Sequence, residues 1–464
     1  MTAATNTSRV GDVVRPRGFA GLVGMAQRDV TPPVGIRNRN WGPATVDIAE
    51  GVHRPFLLVA LALRAADGGD PVVVIGVDAT WWRRVSDFTE TRDLLLRELG
   101  LSEQNLLFSL SHTHAGAVLG AGHATLPGGE LIPGYLEELR QAAVAAGREA
   151  LGALQPGAVQ WATGHCDLAA NREAQVDGRA VVGFDPTVTA DDAVLVGRVT
   201  AADGRVLGTV VNYACHPTTL AWENRLLSPD YVGAMRETVE QATGAPCLFL
   251  QGASGDLAPR EQYVGDVAVA DRHGRALGHS ALAALGTLPP PGSGWQLDRI
   301  VESGAPLACW RTAPVQLPGE LATDRVEITM PLRPLPTIQE LEAEWADIDP
   351  LSRDERLSRA RDLRDGYITG DTVIHPLWTV RIGDAVIVAH PGEAYAAFQT
   401  DLRDRFPDLA VVAVNLTNGP GFVYLPTDEA YQRNAYQAWQ TALAEGALAR
   451  LTAAAVERIT AIMR

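Results

Sequence analysis

The chain has 464 residues, 46% of them hydrophobic, and a mean hydropathy of +0.00, a composition that supports a large globular core. Lys and Arg number 39 against 55 Asp and Glu, a net charge of -16 with no basic block, which sets aside nucleic acid and anionic membranes as partners. No run approaches the ~18 apolar residues of a membrane span, so no stable membrane insertion is expected.

The opening "MTAATNTSRVGDVVRPRGFAGLVG" lacks the apolar core of a secretory signal, and its first fourteen residues read as polar and frayed. Beyond it, six runs rich in β-branched residues each end in reactive side chains. "PVVVIGVDATWW" ends in Asp78, and "NLLFSLSHTH" in His112 and His114. "GTVVNYACHPTTL" runs into His216, and "APCLFLQGASGDLAP" opens into a turn with Asp256. "DAVIVAHPGEAY" delivers His390 and Glu393, and "LAVVAVNLTNGPGFVY" reaches Tyr424 through a Gly-Pro-Gly loop. "TLPPPGSGWQ", at 287–296, is the strongest linker-like stretch. Residues 336–364 read as two charged amphipathic helices broken near Asp349-Pro350, and 434–463 as a long packing helix. The pattern predicts an α/β fold, a mixed β-sheet core flanked by helices, with ligands gathered beyond the strand ends. It is read as one catalytic domain over 15–464, with a sub-boundary available near 287–296 and site residues on both sides. Cys166, Cys215, Cys247 and Cys309 are scattered and form no C-x-x-C. Cys215 and Cys247 lie in apolar runs and read as core thiols, which fits a reducing, cytoplasmic compartment.

His112 and His114 stand two apart on an extended segment, so both imidazoles face one side. His112, His216 and Glu393 together make a two-histidine, one-carboxylate set of the kind zinc takes at about 2.0–2.2 Å. Plainer readings stand beside this one. His216 before Pro217 could simply end a strand, and Glu393 after Pro-Gly could sit at a helix N-terminus, where a carboxylate is favoured. Asp78 and Asp230 read either as carboxylates orienting the imidazoles or as helix caps.

A set of blocks in fixed order adds to this: "GLVGMAQRDVTPPVGI", "GVHRPFLLVALAL", "VVVIGVDAT", "SHTHAG", "NYACHPTTL", "SPDYVGAMRE", "FLQGASGDLAP", "HPGEAYAAF" and "FVYLPTDEAYQRNAY". Over nearly the whole chain they resemble the catalytic part of the neutral ceramidase family, zinc-dependent amidases that cleave the N-acyl bond of ceramide. The resemblance implies zinc ligands at His112, His216, Glu393 and Tyr424. It implies that His114 faces substrate and that Arg172 and Tyr436 line the pocket, although Arg172 also reads as half of a structural ion pair. Tyr431 reads as a packing aromatic. The block around Ser254 departs from the family at Gly252 and Ala258, so Ser254 receives no catalytic role. No C-terminal immunoglobulin-like domain and no secretory leader are expected.

The implied activity is a zinc-dependent hydrolase of linear amides, with His114 moving the proton and Tyr436 supporting the oxyanion. A small, water-soluble amide is expected in preference to long-chain ceramide. Amide formation by an acyltransferase or cyclase is the alternative, a binding protein with a relic site is a third reading, and the oligomeric state is open.

Overall fold

The computed structural model describes residues 8–420 and 423–464. Residues 1–7 of the expected frayed terminus, and Gly421 and Phe422 of the Gly-Pro-Gly loop, lie outside the described residues.

Eight strands make the large sheet: β1 (Arg17–Asp29), β2 (Leu57–Arg64), β3 (Val72–Val77), β4 (Leu106–Leu110), β5 (Gln155–His165), β6 (Ala193–Ala201), β7 (Val206–Tyr213) and β8 (Cys247–Gln251). Their spatial order is β8-β7-β6-β5-β1-β2-β3-β4, antiparallel except for the outer pairs β7/β8 and β3/β4. A second sheet holds β9 (Leu321–Pro331), β10 (Thr372–Ile382), β11 (Ala385–Ala389) and β12 (Ala410–Val414) in sequential order, with β11/β12 parallel.

The sheets pack face to face. Along β2, Val59, Leu61 and Leu63 join Ile387, Val412 and Val414 of the second sheet in one apolar cluster, while Leu58, Ala60 and Ala62 turn the other way. The period of two explains why the sequence shows unbroken apolar runs: both faces of these strands are covered. Helix α1 (Val85–Leu99) lies on α2 (Ile132–Gly152), which covers β1 and β2. Helices α3 (Tyr231–Thr243) and α4 (Val267–Leu285) cover the other half of the large sheet. Beyond the charged helix α5 (Pro350–Arg364), α6 (Ala396–Arg405) and α7 (Ala447–Ile462) cover the outer side of the second sheet. The architecture is therefore the mixed α/β core flanked by helices that the sequence implies.

The large sheet curls until its ends approach. At Gly76 in β3, a Cβ would stand 2.6 Å from the Phe249 carbonyl oxygen of β8, so only glycine fits. The segment after β12 stitches those ends together. Asn415 N donates to Gln251 O at 2.9 Å, Leu110 N to Leu416 O at 3.2 Å, and Asn418 N to Phe108 O at 3.0 Å. Three parallel strand pairs thus discharge their C-terminal ends toward one region.

Some local expectations shift. Val13 and Val14 pair with Trp295 and Gln296, so part of the supposedly frayed terminus is a strand edge, and the linker-like stretch runs straight into that partner strand, Ser293–Val301. The final helix starts only at Ala447, because Gly446 adopts a left-handed φ of 84°. Before it, Asp428–Gln432 and Tyr436–Gln440 are separate short helices. Cys166, Cys215 and Cys247 are buried free thiols, as expected for the latter two. Among the described residues, no helix is long and apolar enough to cross a membrane.

Candidate metal centre

β4 ends at Leu110 and the chain turns sharply at His112, whose φ of 69° lies in the left-handed region. The alternation of a strand is broken there, yet His112 and His114 still face one region, their ring centroids 4.8 Å apart. His216 follows β7, and Glu393 follows β11 in a short strand whose parallel partner is Tyr424, beyond β12.

These strand ends bring three donor atoms together. His112 Nε2 lies 3.1 Å from His216 Nε2, and Glu393 Oε2 lies 3.3 Å and 3.0 Å from those two nitrogens. All three side chains are buried. The other ring nitrogens are committed: His112 Nδ1 to Thr80 O at 3.3 Å and His216 Nδ1 to Ser254 O at 2.8 Å. A carbonyl only accepts, so each Nδ1 carries the proton and each Nε2 presents a lone pair. Glu393 Oε2 accordingly has no hydrogen-bond donor despite its short approaches. Three lone-pair atoms face one buried point, and such an arrangement is resolved by a cation. Donors about 2.0–2.1 Å from a tetrahedral ion stand about 3.3–3.4 Å from one another, close to the spacing seen.

His114 belongs to the same cluster: ligand atoms of His112, His114 and His216 all lie within 4.8 Å of one another, a group able to hold a metal ion. Its ring sits between Trp41 and Trp81, at 5.0 and 4.9 Å, and neither ring nitrogen has a partner. Burial, with His112, His216, Arg359 and Arg172 nearby, pushes its pKa well below the ordinary imidazole value. Burial likewise lowers His216 to about 3, with Arg172 adding to the effect.

Among the described residues Arg172 pairs with no carboxylate. Its Nε and Nη2 donate to Gly255 O at 3.1 and 2.8 Å, and Nη2 donates to the Tyr424 hydroxyl at 3.1 Å. Gly255 is itself forced, since a Cβ there would meet Glu393 O at 2.7 Å. Tyr424 and Tyr436 come within 6.0 Å ring to ring, although the chain between them is not one continuous helix. The seven residues to which the resemblance gives metal or pocket roles thus border one region.

Other candidates go elsewhere. Asp78 forms a bidentate pair with Arg236 at 2.6 and 2.9 Å, and Asp230 caps α3 through Tyr231 N; neither touches an imidazole. Asp256 accepts from Ala396 N at 2.7 Å, and Tyr431 donates to Leu443 O at 2.9 Å. His390 turns away toward His375. Sequence reasoning missed the backbone carbonyls of Thr80 and Ser254, which carry no side-chain signature. It also missed Arg359, Arg356 and Glu355 on α5, a segment read only as a charged amphipathic helix. Together with His114, Arg172, Tyr424 and Tyr436 they line a pocket of about 880 Å³.

No protein-family model matches the chain, and no curated protein matches it significantly. Solved structures do. A ceramidase complexed with C2 superposes with a TM-score of 0.66 over 96% of this chain and 76% of its own, at 15% identity. The neutral ceramidase from Pseudomonas aeruginosa gives 0.65 over 96% and 73%, at 17% identity. The fold is that of the neutral ceramidases. Within this ceramidase fold, the metal-capable cluster sits at the strand ends and opens onto the pocket.

Proposed function

We propose that this chain is a zinc-dependent amidohydrolase that cleaves the amide of a small N-acyl compound. The observation that carries the reading is the convergence of His112 Nε2, His216 Nε2 and Glu393 Oε2 within 3.0–3.3 Å, with both Nδ1 atoms locked on carbonyls. The likeness to ceramidase structures supports amide chemistry over other uses of such a cluster. Imidazole and carboxylate donors suit zinc, and Tyr424, the neighbour of Glu393 in register, would complete the set. A zinc ion held there supplies Lewis acidity and makes hydroxide available near neutral pH.

The remaining residues handle position and protons. His114 is neutral, unpartnered and next to the cluster, so it accepts the proton of the attacking water and returns it to the amide nitrogen as the C–N bond breaks. That return is required, because an amide anion is a poor leaving group. Tyr436 points its hydroxyl into the same pocket, 3.5 Å from Arg359 Nη1, and donates to the carbonyl oxygen as charge develops there. Arg172 fixes the Tyr424 hydroxyl and the Gly255 carbonyl, and lines the pocket floor.

The test is metal analysis with turnover on a panel of N-acyl amides, and on the matching acids plus amines. One zinc per chain and hydrolysis of preformed amides is the expected result. Metal-free protein from a chelator-free purification, or net amide formation, overturns the reading.

A further inference from the structure

Outward from the histidine cluster, rings and guanidinium groups alternate in a line. Trp81 packs on His112 and His114 at 5.4 and 4.9 Å. Arg359 lies over the Trp81 ring at 5.4 Å and reaches the Tyr436 hydroxyl at 3.5 Å. The Tyr436 ring meets Trp439 at 5.2 Å, and Arg356 lies between Trp439 and Trp345, 5.1 and 5.6 Å from the two rings. Arg356 and Arg359 stand three apart on α5 and so share a face.

Their charges are not equivalent. Arg359 is held by Glu355 at 2.8 Å, and on the outer side of the helix Arg361 is held by Glu342 at 2.8 Å. Arg356 has neither a carboxylate nor a hydrogen-bond acceptor among the described residues. The indoles clamp its plane while its five N–H donors stay unused. The pocket as a whole is lined by five arginines against two glutamates, in a chain whose net charge is -16. A cationic cleft in an acidic protein concentrates anions.

We infer that the substrate is an acidic amide, of the N-acyl ω-amino acid class, whose carboxylate is gripped by Arg356 while its amide bond, at the other end of an apolar stem, lies beside His114. The inference rests on the amidohydrolase reading above. One planar guanidinium fork matches one planar carboxylate, whereas a phosphate is usually gathered by several cations or by a helix N-terminus. The rings between the two ends suit an apolar stem.

The test compares N-hexanoyl-8-aminooctanoate, neutral N-hexanoyloctylamine and N-hexanoyl-8-aminooctyl phosphate on the zinc-loaded protein, by kcat/KM and by calorimetric binding at low and high salt. N-hexanoyl-8-aminooctanoate is expected to exceed the neutral amide by about 10–100-fold in kcat/KM, the range of a charge-assisted contact. Arg356→Met keeps the stem between the indoles and is expected to cut that ratio at least tenfold, mainly through KM. Arg361→Met, on the outer side, is the control that keeps the ratio. Equal rates for acidic and neutral amides, or a ratio that survives Arg356→Met, overturn the inference and leave the hydrolase reading standing. A preference for the phosphate compound overturns the carboxylate. Binding of N-hexanoyl-8-aminooctanoate that depends on Arg356, with no amide cleaved, supports the anion site and overturns the hydrolase reading instead.

Discussion

Two pairs of buried histidines lie in this fold with the same spacing and opposite chemistry. His112 Nε2 and His216 Nε2 stand 3.1 Å apart, and so do His375 Nε2 and His390 Nδ1. In the second pair a Tyr367 hydroxyl donates to His375 Nδ1, which leaves Nε2–H to donate to His390 Nδ1, where Gly392 N–H also arrives. Every one of those contacts has a donor and an acceptor, and no carboxylate enters. In the first pair both protons are drawn away by carbonyls, and a carboxylate joins the two lone pairs that remain. Proximity of imidazoles does not make a metal site. What makes one is the partner on the far nitrogen, which decides whether a proton or a lone pair faces inward.

The sharpest way to break that comparison is to remove donors from each side. His112→Ala, His216→Ala and Glu393→Ala are each expected to abolish stoichiometric zinc, read by elemental analysis, and to lower kcat/KM about a thousandfold or more. His375→Ala and His390→Ala are expected to keep the zinc. They should cost about 2–4 kcal/mol of stability through a cavity and lost hydrogen bonds, read in denaturant unfolding. Zinc loss in His390→Ala equal to that in His216→Ala would erase the distinction.

Next come the residues that touch the first cluster without sharing its lone pairs. His114→Ala is expected to retain zinc and lose about 10²–10⁴-fold in kcat. Tyr436→Phe should also retain zinc, with a loss of about 10²-fold in kcat. Tyr424→Phe is expected instead to weaken zinc binding at least tenfold, read by competition with a chelator. If Tyr424→Phe leaves zinc affinity unchanged, the fourth position belongs to another group, with His114 next in line.

Acid separates the clusters more gently. Burial lowers both His216 and His375 to about 3, from an ordinary 6.5. The unfolded chain therefore binds more protons than the fold between those values, and stability falls as pH drops from about 6.5 toward 3. If the first cluster holds zinc, as proposed, protons compete with the ion there, and added zinc should push its acid midpoint lower. At the second cluster zinc should have no effect. His375→Phe is expected to remove only the zinc-insensitive part of the acid loss, as seen in thermal unfolding midpoints across that window.

The fold was legible because its driving pattern is local. Apolar runs such as "VVVIGV" and "CLFLQ", each followed by a polar turn, announce strands covered on both faces. The donors were legible for the same reason, since strand ends in an α/β fold are where ligands collect. What the sequence hid is non-local or lies in the backbone. Nothing in "HTH" distinguishes its two histidines until Thr80 O claims one ring. Nor does "AVIVAHPGE" say that His390 turns toward His375 while Glu393 turns to His112 and His216. The charged helix α5 kept its pocket face concealed, because Arg356 and Arg359 look like surface residues until Trp439 and Trp81 are placed beneath them.

The stitch formed by Asn415, Leu416 and Asn418 has a kinetic meaning. It joins strands β4 and β8 to the end of β12, segments far apart along the chain, and such non-local pairings carry a large loop-closure cost and form slowly. Metal affinity should therefore arise late in refolding, after most secondary structure has formed. Stopped-flow capture of zinc would then time the completion of the fold rather than its onset.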